Sequence, residues 1–186
     1  MKIRFEPRSV VSEETLRAHR AYSRSLGLPE IVPGKVGAAA PFLAVVGGSP
    51  DVVDHIDTLR DWDGDVWAVN GTWQWCHDNG IDAALYTIDP VFSPDFLGDV
   101  RRAVLADVVK PSVFDGLRHA DVELVRLGAD SILPATTSAA TAPLFACWRG
   151  HRHVTFFGCA SCYGKTTHAY RSETANLIWV SCGGRD

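Results

Sequence analysis

The sequence predicts an α/β fold, a mostly parallel sheet with helices on both faces. Three observations carry that expectation. Short apolar runs recur along the chain, among them Phe42-Leu-Ala-Val-Val46, Val66-Trp-Ala-Val69 and Ala83-Ala-Leu-Tyr-Thr-Ile88. Each stops at small or polar residues: Gly47-Gly48-Ser49, Asn70-Gly71 and Asp89-Pro90. Stretches of helical length separate the runs, and near-continuous apolar strands alternating with helices are the pattern of a parallel sheet covered on two sides.

Taken in order, the first element is a helix. Ser12 can cap it, and Glu13 and Glu14 suit the positive end of a helix dipole. It runs to about Leu26 with several arginines and a thin apolar stripe of Leu16, Tyr22 and Leu26. Gly27, Pro29, Pro33, Gly34, Gly37 and Pro41 then read as an irregular linker. Residues 1–41 are therefore expected to form an N-terminal helical arm and linker: a solvated arm, an oligomerisation element or a substrate-side lid. Residues 42–186 form the main domain. Its strands are expected at 42–46, 66–69, 83–88, 103–109, 122–127 and 153–157, and its helices at 50–60, 71–79, 111–119 and 137–149. Pro50 and Pro111 stand where a first helical turn tolerates proline, whose missing N–H would be unpaired there anyway. A last run, Asn176-Leu-Ile-Trp-Val-Ser-Cys182, reads as a strand before Gly183-Gly184. It either ends the sheet or lacks a final partner.

Composition narrows the function. The chain has 186 residues, 46% of them hydrophobic and 22% charged, enough for one domain with a sizeable core. A net charge of −4 leaves no electrostatic footprint for nucleic acid. No apolar run approaches the ~20 residues of a membrane helix. Met1-Lys-Ile-Arg-Phe lacks the apolar core of a secretory signal, and five cysteines do not read as a disulfide framework, so the cytoplasm is the expected compartment.

In open α/β sheets ligands bind at the carboxyl ends of the strands, which gathers Gly47, Gly48, Ser49, Asn70 and Asp89 around one crevice. The glycine turn could present N–H groups to a phosphate at a helix start. It could equally be a steric necessity, because the three-glycine dinucleotide spacing is absent. Asp89 suits a metal or a hydroxyl; as Asp-Pro it is also a good turn former. Asn70 before Gly71 carries the same two readings. Gly158 and Gly164-Lys165-Thr166 are one residue too far apart for a P-loop. Cys159-x-x-Cys162 could be a redox pair or part of a zinc site with His151, His153 or His168, or two buried thiols. His168 is a candidate acid or base, since histidine titrates near neutrality. Trp73 and Trp75 could flank a ring, but core packing explains them as well.

Together these stretches, with Gly80-Ile-Asp82, Thr136-Thr137-Ser138-Ala-Ala140 and Val154-Thr-Phe-Phe-Gly158, resemble the 6-hydroxymethylpterin diphosphokinase-like family. Its Rossmann-like core is similar to the bacterial sialyltransferases that use a cytidine-monophosphate sugar. The resemblance spans about residues 42–170. It implies a nucleotide-binding transferase moving a phosphate, diphosphate or sugar from ATP or a CMP-sugar to a small-molecule acceptor, with Mg2+ in the first case. Gly48, Ser49 and Asn70 would lie at the nucleotide, with Thr137 and Ser138 facing it. Asp89 would hold the metal, and His168, near Tyr163 and Tyr170, would serve as base. Both groups usually carry an aspartate where this chain has Ala160, which keeps a non-catalytic nucleotide- or partner-binding module in view. A thiol-redox or metal protein built on Cys159 and Cys162 is the third alternative, and a homo-oligomer is left open.

Overall fold

The computed structural model describes residues 11–33, 39–127 and 137–159. Helix α1 (Glu13–Ser25) and the two-residue strand β1 (Glu30–Ile31) come first. The alternating core follows: β2 (Phe42–Val46), α2 (Ile56–Arg60), β3 (Asp65–Val69), α3 (Thr72–Asp78), β4 (Ala84–Thr87) and β5 (Arg102–Ala106). It continues through α4 (Pro111–Gly116), β6 (Asp121–Val125), α5 (Ser138–Arg149) and β7 (His153–Phe157). Short 3-10 turns at Pro50–His55 and Leu97–Asp99 complete the set.

The seven strands form one sheet in the order β1-β6-β5-β4-β3-β2-β7, every neighbouring pair parallel. This is the Rossmann-like α/β class that the apolar runs predict. From β2 the chain steps outward through β3, β4, β5 and β6, then returns over the sheet by α5 to lay β7 on the other side of β2. That reversal is the topological switch point, where such sheets open a crevice at their carboxyl ends.

Register shows which side each layer covers. Tyr86 stacks on Trp67 at 5.1 Å and reaches α5, its hydroxyl donating to Thr141 Oγ1 at 2.6 Å. Thr141 in turn donates to the Ser138 carbonyl. Val46 pairs with Ala68 and with Phe157, so Phe157 points to the side opposite Trp67, where His55 and Trp62 meet its ring. α5 therefore lies on one face and the 3-10 turn leading into α2 on the other.

Several boundaries differ from the sequence expectation, each for a physical reason. The helix expected over 50–60 begins as a 3-10 turn: Ser49 gives it no side-chain cap, and Val52 is wedged against Gly158. The strand expected to reach 109 stops at Ala106, because Asp107 turns its carboxylate back to accept from the Leu127 N–H. The linker contains a strand, β1, tied to β6 by its ladder and by the Arg126–Glu30 ion pair. The N-terminal helix packs on the sheet's carboxyl edge. His19 bonds the Val108 carbonyl at 2.8 Å, Ser23 donates to the Asp107 carbonyl at 3.0 Å, and Arg24 pairs with the buried Asp107 carboxylate at 3.3 Å. The carboxyl ends of β5 and β6 are thereby engaged by α1.

Candidate functional site

The residues expected at the crevice converge at the remaining carboxyl ends, those of β4, β3, β2 and β7. Asn70 follows β3, and its N–H donates to the Tyr86 carbonyl of β4 at 3.0 Å. Ile88, just past β4, donates to Ser138 Oγ at 3.5 Å, which ties the approach to Asp89 to the first residue of α5. Thr137 caps α5, its hydroxyl accepting from the Ala140 N–H at 3.3 Å. Gly47 and Ser49 are pinned to β7, donating to the carbonyls of Phe157 and Gly158, both at 2.8 Å.

That last pair of bonds bears on the glycine turn. Two of its three N–H groups are engaged in joining β2 to β7. Among the described residues the Gly48 N–H has no backbone acceptor, and Ser49 is buried. The fit between the two loops is close: a Cβ at Gly47 would lie 2.5 Å from the Gly158 carbonyl oxygen and 2.9 Å from Cys159 Sγ. Glycine is needed here for backbone approach across the switch point.

Asn70 is the most unusual residue of the group. Its φ of 52° is left-handed, and among the described residues no other non-glycine has a positive φ. Such a conformation costs about 1–2 kcal/mol in an ordinary L-residue, less in asparagine, and recurs at functional sites. Its Oδ1 is buried without a hydrogen-bond partner among the described residues. An acceptor in that state carries a desolvation cost, which is the mark of a strained or functional position.

Asp89 is half-buried; Oδ1 accepts from the Val91 N–H at 2.9 Å, and its own N–H donates to Thr87 Oγ1 at 3.1 Å. The turn geometry thus engages one oxygen and leaves Oδ2. Among the described residues no three His, Cys, Asp or Glu side chains group as a metal set. Cys159 is half-buried, its thiol contacting the carbonyls of Phe157 at 3.4 Å and Val45 at 3.6 Å. Burial, with the Asp51 charge adding to it, pushes this thiol up to about 11, which opposes the thiolate that redox or metal chemistry needs. Trp73 donates its indole N–H to the Ala83 carbonyl at 2.9 Å and is buried, so it packs in the core. His168, Ala160, Cys162, Tyr163, Tyr170, Lys165 and the run Asn176–Cys182 lie outside the described residues.

Beside the crevice is a cavity of about 440 Å³, lined by Asp51, Thr137, Ala140, Phe156, Gly158 and Cys159. Asp51 and Phe156 are not singled out by the sequence pattern. Phe156 belongs to an apolar strand run and Asp51 to a helix start, both of them ordinary places for such residues.

The fold is a Rossmann-like α/β domain with its topological switch between β2 and β7. Among solved structures it is similar to the MAf glycosyltransferase from Magnetospirillum magneticum AMB-1, at a TM-score of 0.51 and 16% sequence identity. The likeness covers 78% of this chain and 27% of that one, so the chain spans about a quarter of that protein's length. At this identity it is the fold that is shared. No family model matches the chain, and no curated protein matches it.

Proposed function

We propose that this chain is a nucleotide-binding domain of glycosyltransferase-like kind, which holds a nucleotide donor at the carboxyl ends of β2, β3 and β4. The observation that carries the reading is Asn70: a left-handed asparagine at the strand ends beside the switch point, its Oδ1 buried without a partner among the described residues and open to a donor once the side chain turns outward. Gly48, Ser49 and Ser138 lie at the same strand ends, where the glycine turn's Gly48 N–H is placed to meet a phosphate, and Thr137 caps the helix that starts beside them. The fold likeness to a glycosyltransferase favours a sugar-nucleotide donor such as a CMP-sugar over the ATP of the diphosphokinase reading. Transfer to an acceptor hydroxyl would use His168 as base.

Magnesium would find one carboxylate oxygen here, Asp89 Oδ2, with the rest of its shell left to substrate phosphate and water. Asp89 has one oxygen engaged by the Val91 N–H, and among the described residues no group of three His, Cys, Asp or Glu side chains forms a dedicated protein cage. We derive no step through a metal.

The test is a thermal-shift panel of ATP, CTP, CMP, UDP and GTP, each with and without magnesium, on the wild type and Asn70→Gly. A ligand at 100 times its dissociation constant adds about 2.7 kcal/mol, or roughly 5–10 °C for a chain of this size. A metal-independent shift that Asn70→Gly abolishes is the expected result. A shift that persists unchanged in the folded variant would sink the assignment of Asn70.

A further inference from the structure

The cavity between the start of α5 and the end of β7 has a chemistry of its own. One wall is an aromatic face: Phe156 is 46% exposed on β7, an edge strand of the described sheet. Ala139 and Ala140 line it with no more than a methyl group each, which leaves room for a flat ring in about 440 Å³. The polar edge belongs to Asp51, an exposed carboxylate in no ion pair or side-chain hydrogen bond among the described residues. Thr137 already accepts the Ala140 N–H, so its own hydroxyl proton is left to donate. A phosphate beside Asp51 would meet a like charge. A neutral ring that offers N–H donors would meet an acceptor on its edge and an aromatic on its face.

We propose that this cavity is a nucleobase pocket selective for bases with an exocyclic amine, Phe156 being the stacking face and Asp51 the acceptor of the amine. The assignment rests on the nucleotide reading above and deepens it by naming the class of base. Stacking tolerates any base, because every base has a π-face. Selection therefore falls to the edge. An amine donates to the carboxylate, whereas a carbonyl at the same ring position sets its lone pairs against a negative charge.

Calorimetric titration of the full chain with CMP, UMP, AMP and IMP tests this. Within each pair, CMP against UMP and AMP against IMP, an exocyclic amine becomes a carbonyl while the adjacent ring nitrogen gains an N–H, so a carboxylate that faces the exocyclic position itself loses its donor. In at least one pair the amine member is expected to bind about tenfold more tightly. Asp51→Ala lowers that member to the affinity of its carbonyl counterpart. Phe156→Ala weakens both members together by about tenfold, the mark of lost stacking. Asp51 is exposed and its side chain holds no bond among the described residues, so its variant is expected to keep the fold, which a thermal melt verifies. Equal affinities in both pairs, or a preference that survives Asp51→Ala, overturn the pocket assignment and leave the nucleotide reading standing. Failure of all four nucleotides to bind overturns that reading and the pocket with it.

Discussion

At Gly158 the backbone sits at φ 59°, and a Cβ there would come within 2.5 Å of the Gly47 carbonyl oxygen and 2.6 Å of Val52 Cβ. Both contacts are with atoms that cannot swing aside. Gly158→Ala should therefore cost about 3 kcal/mol, summing left-handed strain and overpacking, and lower the melting temperature by roughly 6–12 °C. Asn70 holds a similar conformation without being glycine, which gives an opposite expectation. Asn70→Gly relaxes φ and removes a buried acceptor, so stability should hold or rise by up to about 1 kcal/mol while nucleotide binding falls. A variant that loses both stability and binding would mark Asn70 as structural. The small and polar strand ends were legible in the sequence as glycines, Asn70 and Asp89. The engagement of the Gly47 and Ser49 N–H groups by Phe157 and Gly158 was not, because the partners come from the far end of the chain. For the same reason the sequence pattern does not join Asp51 to Phe156.

Among the elements, α1 shows most clearly where local pattern stops informing. Ser12, Glu13 and Glu14 announce the helix, and Ser12 Oγ does accept from the Thr15 N–H at 3.1 Å. Its docking is hidden because the contacts are polar: Ser23, Arg24 and His19 reach backbone or carboxylate groups after β5. β1, at two residues, is too short to show any period. Asp107 is the hub. It is fully buried, accepts from the Leu127 N–H at 3.0 Å and pairs with Arg24, while burial holds its carboxyl above the usual range. Asp107→Ala should cost about 3 kcal/mol by leaving the Leu127 N–H and Arg24 without their acceptor. Hydrogen exchange should show α1 opening first. Asp107→Asn keeps an acceptor for the Leu127 N–H and should cost less; equal losses in the two variants would remove that explanation.

For the molecule as a whole, the amino ends of the strands carry a charge lattice opposite the crevice. Arg149 spans Asp65 at 2.9 Å and Glu123 at 2.7 Å, and Arg102 pairs with Asp82 at 2.9 Å. His151 is buried within it. Its Nδ1–H donates to the Ala40 carbonyl at 2.7 Å, and Nε2 stands 3.6 Å from Asp65 without a hydrogen bond. Burial lowers its pKa, a trend that the Ala40 bond and the Asp65 charge only partly offset. The unfolded chain therefore binds this proton more readily than the folded one. Stability attributable to His151 is complete above the ordinary value near 6.5 and declines as pH falls below it. Urea melts between pH 7 and pH 5 should show that decline, with a shallower slope in His151→Gln; an unchanged slope would assign it to other groups.

The same histidine bond joins positions 111 apart in sequence, beside the pairing of β7 with β2. Strands that meet across such a distance carry a large loop-closure cost and pair slowly. The strands from β2 through β6 can add neighbour by neighbour as the chain lengthens, but both sides of the switch point exist only after β7 arrives. On the proposed reading, ligand capture therefore waits on the longest-range closure among the described strands: a chain halted before β7 could build much of the sheet and still lack one wall of the proposed site.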